Sequence, residues 1–263
     1  MPLRLAQIFD QSALARAAAA AVIGLAALAA PLRAETAAPQ KAEIEKIVHD
    51  YLLANPEVIR DAIDELDRRQ KVAEADSRQK AVTQGANKLF NSASQAVIGN
   101  PSGDVTLVEF FDYNCGYCKR ALDDVAKLIE GDSKLRVVLK DFPVLGAGSV
   151  EAAEIATAAR LQLKPEKFYE FHRKLLNTRG AVGKAQAIAV AKELGADTAK
   201  LEKDSKSPEV KASIKEVMEL ADSLNLTGTP SWVLGKEVII GAVGFQPLKA
   251  KIENTRKCGK TIC

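Results

Sequence analysis

The chain has 263 residues, 47% hydrophobic and 27% charged, with a formal net charge of +3. Setting aside the first 34 residues, whose charges are Arg4, Asp10, Arg16 and Arg33, removes a net +2 and leaves +1 on 229 residues (263 minus 34). So even a balance, with no basic block and no aromatic-interleaved basic stripe, argues against a nucleic-acid partner or an acidic lipid surface, while the length is ample for a sizeable core.

In chain order, Arg4 and Arg16 precede an apolar run of 14 residues, Ala17 to Ala30, followed by small residues up to Ala34. That is the plan of a secretory signal peptide cleaved near Ala34, and the run falls short of the roughly 20 residues that span a bilayer. Export gives the four cysteines, Cys115, Cys118, Cys258 and Cys263, an oxidising setting. Four in so long a chain are too few for a disulfide-stapled scaffold, so the adjacent pair calls for a chemical explanation.

Residues 41–91 predict a helical arm. Ile44, Ile47, Val48, Tyr51 and Leu52 recur at helical spacing up to Asn55-Pro56, where Asn55 suits an N-cap and Pro56 a first helical turn. A second helix carries Ile59, Ala62, Ile63 and Leu66, then turns polar from Asp67 to Gln84 before Leu89 and Phe90. Continuous to Asn91, it would reach about 54 Å, too long to bury its middle in a small domain. Such an arm is either a solvated linker or an oligomerisation region whose apolar stripes meet copies of themselves; self-association is the expectation.

Residues 92–263 predict the catalytic domain. A short strand from Gln95 to Ile98 precedes a buried one from Val105 to Phe111, then a helix from about Cys118 to Ile129, then a strand from Leu135 to Lys140. A strand, helix, strand unit implies a parallel pair with a right-handed crossover. From about 149 to 224 the pattern is helical throughout, an insertion; strands return at Ser231–Leu234 and Val238–Ile240, and a last helix covers Phe245 to Lys257.

Cys115-Gly116-Tyr117-Cys118 sits where the Val105 strand turns into a helix. A thiol at a helix N-terminus faces unpaired N–H groups and the positive end of the dipole, which favour the thiolate that performs nucleophilic attack. Cys115 is the expected nucleophile, and Cys118, one turn on, the thiol that resolves a mixed disulfide. The competing assignment, half of a zinc site, would need Cys258 and Cys263 brought to the same place. Glu109, six residues before Cys115, is a candidate buried acid that relays the Cys118 proton, with Lys140 as a possible pair and Asp112 as competitor. His49 and His172 have no ligand-spaced partner, and no metal site or cofactor is expected.

This Cys-Gly-Tyr-Cys motif, the helical insertion, and Thr227-Gly228-Thr229-Pro230 before the next strand together resemble the DsbA family of periplasmic thiol:disulfide oxidoreductases, over about Ser92 to Lys257. The preceding arm is similar to that of the copper-sensitivity suppressor proteins of ScsC type. The resemblance implies an α/β thioredoxin fold with a helical insertion, in the periplasm. It makes Thr229-Pro230 a cis-proline loop that binds extended substrate, with Gly116 and Tyr117 beside the thiolate. Thr229 before the proline is more similar to the family's isomerases than to its oxidases. The implied partners are disulfide-containing exported proteins, a membrane-embedded thiol reductase as electron donor, and further copies of the chain, three by resemblance. The expected activity is disulfide isomerisation or reduction; a dithiol oxidase, a chaperone and a copper-binding protein are the alternatives. Cys258 and Cys263 depart from the family core, and a structural disulfide closing the last helix is the leading expectation for them.

Overall fold

The computed structural model of the protein describes residues 37–263 and divides into two compact units, one ending at Asp67 and one running from Arg68 to Cys263. The expected signal peptide lies outside the described residues. No described helix is long and apolar enough to cross a membrane.

The first unit holds α1 (Ala37–Ala54) and the start of α2 (Glu57–Asn91). Asn55 departs from its expected N-cap role: its side-chain amide donates to the Tyr51 carbonyl at 2.9 Å, closing the end of α1. The apolar residues Ile44, Ile47, Val48, Tyr51, Ile59, Ile63 and Leu66 are all about half exposed or more.

In the second unit, β1 (Ala96–Gly99), β2 (Val105–Phe111), β3 (Leu135–Asp141), β4 (Ser231–Leu234) and β5 (Glu237–Ile240) form one sheet in the order β1-β3-β2-β4-β5. The β2–β3 pair is parallel, as the strand, helix, strand unit requires, and the remaining pairs are antiparallel. Every residue of central β2 except Thr106 is buried, because both faces of the sheet are covered.

Alternation along β2 sorts its side chains. Leu107 and Phe111 join Leu135, Val137, Leu139 and Trp232 in a core shared with α3 (Gly116–Gly131), α9 (Phe245–Cys258) and the insertion. Val108 and Phe110 join Val138 and Val233 on the opposite face. Glu109, two residues from both Leu107 and Phe111, shares the α3 face with them.

The insertion comprises α4 (Ala147–Arg160), α5 (Pro165–Leu176), α6 (Lys184–Glu193), α7 (Thr198–Asp204) and α8 (Pro208–Ser223). Alanine-rich α4 is its centre and packs against the other four. Its buried Ala152, Ala153, Ala156, Ala158 and Ala159 leave neighbouring helices room to approach.

The second face of the sheet is covered by α8 and the C-terminal part of α2. Val82 and Leu89 are buried against Val108, Phe110, Val217 and Leu220. Residues 68–91 therefore belong to the compact unit, whereas the sequence places them in the arm. The apolar positions are too sparse to read as an amphipathic stripe, and Gly85 completes the face by being small: a Cβ there would sit 3.1 Å from Leu220 Cδ2. Lys140, expected as a partner of Glu109, lies in register with Phe110 on this opposite face and donates to the Lys88 carbonyl at 2.6 Å.

Candidate active site

Two segments and one buried carboxyl meet at the cysteine pair. Strand β2 ends at Phe111 and enters a tight turn in which the Cys115 N–H donates to the Asp112 carbonyl at 3.0 Å. That turn sets Cys115 as the N-cap of α3, with φ −77° and ψ 116°, and its carbonyl accepts the Lys119 N–H at 3.1 Å. Cys115 and Cys118 are both free thiols; Cys115 is 6% exposed and Cys118 has no exposed surface.

The loop before β4 supplies the second segment. Its Thr229–Pro230 bond is cis, and the Cys115 Sγ donates to the Thr229 carbonyl at 3.1 Å. Ser231 Oγ bonds the Gly228 carbonyl at 2.7 Å and the Gly241 N–H bonds the Pro230 carbonyl at 2.9 Å, so the loop is anchored on both sides of the proline. Gly116 and Tyr117 are exposed. A Cβ on Gly116 would meet nothing within 4 Å, so this position faces open space. The Arg120 guanidinium stacks 4.3 Å from the centroid of the Tyr117 ring.

Glu109, within β2, supplies the carboxyl. It is 2% exposed on the face that packs against α3, and burial lifts its carboxyl to about 8. The Cys118 thiol is pushed well above its ordinary value by burial and then by the Glu109 charge. Asp112, the sequence-level competitor, is differently engaged: its carboxylate accepts four hydrogen bonds, from Asn114 N–H, Ser149 Oγ, Val144 N–H and Leu145 N–H. With those lone pairs occupied, it is poorly placed to take a proton from a thiol.

Other buried polar groups surround this centre. His172 of α5 is 1% exposed, and burial pushes its ring down to about 3, so it is neutral in ordinary buffers. Its Nδ1 lies 3.4 Å from the Tyr113 hydroxyl, and both rings pack edge-on against Phe111. Burial raises the Asp141 carboxyl to about 7, and its Oδ1 is buried without a hydrogen bond. Cys258 and Cys263 are joined at the end of α9, their Cα atoms 6.3 Å apart, while Cys115 and Cys118 remain with the sheet. The described residues contain no group of three or more His, Cys, Asp or Glu arranged to hold a metal.

The contacts of Asp112, Asn114 and Ser149 lie beyond what the sequence reading assigned. Asp-x-Asn before a helix is a recognisable turn signal, but its partners are 30 and more residues away.

Residues 106–253 match the model of the DSBA-like thioredoxin domain. The chain belongs to the DsbA-like thioredoxin family. Residues 40–73 match a second model, the copper resistance protein ScsC N-terminal domain. A thioredoxin-like oxidoreductase from Silicibacter pomeroyi superposes with a TM-score of 0.62 at 41% identity, over 65% of this chain and 98% of that one. The catalytic domain of Proteus mirabilis ScsC superposes with a TM-score of 0.61 at 25% identity, over 67% and 97%. In sequence, the chain is 28% identical over 175 residues to disulfide bond formation protein D of Bacillus subtilis, covering 62% of this chain and 78% of that protein. It also spans 24% of the longer Na(+)/H(+) antiporter NhaA 1 of Salinispora arenicola, at 27% identity over 158 residues. Within the DsbA-like family, a Cys-x-x-Cys pair facing a cis-proline loop makes this chain a thiol-disulfide oxidoreductase of DsbA/ScsC type.

Proposed function

We propose that the protein is an exported, periplasmic enzyme that reshuffles and reduces disulfides in other exported proteins, a disulfide isomerase and reductase. The observation that carries the reading is the Cys115 thiol at the Thr229 carbonyl, with fully buried Cys118 one helical turn behind it.

The Cys115 thiolate attacks one sulfur of a substrate disulfide. A mixed disulfide forms and the other substrate sulfur leaves as a thiolate. In isomerisation that thiolate attacks another disulfide of the same substrate, and a substrate thiolate finally displaces Cys115, with no net electron transfer. In reduction, Glu109 takes the Cys118 proton and the Cys118 thiolate attacks Cys115 Sγ. The second substrate thiolate leaves, and two electrons have passed from the Cys115–Cys118 dithiol to the substrate. A membrane-embedded thiol reductase then restores the dithiol. Thr229 and Pro230 offer the substrate a backbone edge, and Gly116 and Tyr117 flank the attacked bond. Cys258–Cys263 serves as a structural closure of α9.

The preference for isomerase over oxidase is supported by the exposed apolar residues of α1 and early α2, within the segment that matches the ScsC model. They suit contact with further copies, three on the ScsC likeness, and self-association joins several thiol pairs in one particle. The similarity to disulfide bond formation protein D favours the second reading, a dithiol oxidase with the same residues held oxidised.

Trapping the thiols in intact cells decides between them: mostly reduced Cys115 and Cys118 support the isomerase, mostly oxidised ones the oxidase. Refolding of a scrambled disulfide protein tests the enzyme itself, because activity that survives the Cys115→Ser, Cys118→Ser double change removes both readings.

A further inference from the structure

Asp112 is 2% exposed. A buried carboxylate is costly unless its lone pairs are met, and here the donors come from three separate segments. Oδ1 accepts the Asn114 N–H at 2.7 Å, inside the Cys115 turn, and the Ser149 hydroxyl at 2.8 Å, in the first turn of α4. Oδ2 accepts the N–H groups of Val144 at 2.9 Å and Leu145 at 3.0 Å, in the loop between β3 and α4. The backbone carbonyl of the same residue holds the Cys115 N–H. Asn114 extends the network: its amide donates to Ser149 Oγ at 3.0 Å and to the Val182 carbonyl at 2.8 Å, and accepts the Val182 N–H at 2.7 Å.

The two oxygens of one carboxylate thus hold the nucleophile's turn on one side and residues 144–145 on the other. With their N–H groups turned toward Asp112, Val144 and Leu145 expose 41% and 55% of their surface, one residue removed from the Cys115 turn that the same Asp112 holds. We propose that Asp112 is a positioning residue of the exchange site. Its carboxylate fixes the Val144–Leu145 loop relative to Cys115, and this placement makes the site select polypeptide disulfides with an apolar side chain beside the cysteine over small, polar disulfides. The inference rests on the proposed exchange activity and names the substrate feature that this activity prefers.

Asp112→Ala removes both carboxylate oxygens, so the bonds to Val144 and Leu145 are lost together with those to Asn114 and Ser149. The test compares the reduced full chain reacting with oxidised glutathione and with a disulfide peptide carrying leucine next to its cysteine. Asp112→Ala and Leu145→Ser are each expected to lower the rate with the peptide about tenfold more than the rate with glutathione disulfide, the usual size of a lost apolar contact. Ser149→Ala, which spares the bonds to Val144 and Leu145, should keep the ratio within about twofold of the unaltered chain. Equal slowing of both reactions by Asp112→Ala, or an unchanged ratio in Leu145→Ser, overturns the proposal, since a merely structural role would not separate the two substrates. If Asp112→Ala does not fold, Leu145→Pro, which deletes one donor to Oδ2 at an exposed position, carries the same expectation and the same overturning result. Cys115→Ser with undiminished exchange on both disulfides would instead refute the exchange reading.

Discussion

At the scale of single residues, the cysteine pair is asymmetric. Cys115 keeps a sliver of exposure at the mouth of the cis-proline loop, while Cys118 is sealed beneath it and its thiol is pushed up by burial and by Glu109. In the proposed reduction Cys118 needs a base in that setting, and Glu109, raised to about 8, is the proposed one. Glu109→Gln is expected to slow resolution of a mixed disulfide by about 100-fold, the lower end for positioned proton transfer, and to abolish the rise of that rate through pH 8; stopped-flow release of the substrate thiol measures it.

The same shift governs stability. The folded chain holds the Glu109 proton up to about pH 8 and the unfolded chain only to about 4.5. Stability therefore declines as pH rises across that window, and Glu109→Gln should remove several kcal/mol of the decline. His172 has the opposite sign: its folded value of about 3 lies below the ordinary 6.5, so stability is lost as pH falls between the two. Urea midpoints from pH 3 to 9 for the unaltered chain, Glu109→Gln and His172→Gln should show one variant flattening the alkaline limb and the other the acid limb.

At the scale of elements, α2 does two jobs along one helix. Its residues 57–67 belong to the first unit and expose Ile59, Ile63 and Leu66, whereas from Arg68 onward it covers the sheet with Val82 and Leu89. Leu89→Ala is accordingly expected to cost about 2–5 kcal/mol in urea unfolding, the range for a fully buried leucine. A chain starting at Arg68 should fold and sediment as a monomer while the mature chain sediments as an oligomer. A chain starting at Ser92 would lose the cover over Val108, Phe110 and Val138 and is expected to aggregate. If the Arg68 chain self-associates as the mature one does, α1 and early α2 are not the oligomerisation region.

At the scale of the whole molecule, the chemistry of an exchange enzyme depends on which form of its dithiol the compartment maintains, and this belongs to partners as much as to the fold. The exposed apolar residues of the first unit and the exchange site of the second are separate devices on one chain. Separating them genetically should leave reduction of a small disulfide unchanged but lower the yield of correctly paired protein from a scrambled substrate. Refolding assays with the Arg68 chain at equal thiol concentration check this, and equal yields would disconnect self-association from shuffling.

Much of this was legible from sequence because it is written in local signals. Strands β2 and β4 fall at Val105–Phe111 and Ser231–Leu234, where periodicity and punctuation put them. The Cys115 motif and Thr229-Pro230 are short runs whose residue types carry their own chemistry. Three things required the folded chain, because each depends on partners far away in sequence. The docking of residues 68–91 rests on Val82, Leu89 and a small Gly85 meeting α8, more than 120 positions later. The face taken by Lys140 follows from strand register, where one residue separates the two sides of a sheet. The parting of Asp112 from Glu109 rests on where Val144, Leu145 and Ser149 come to lie: the sequence offers two acids near a thiol, and only tertiary hydrogen bonding makes one a fixed anchor and leaves the other, buried and raised, open to a proton.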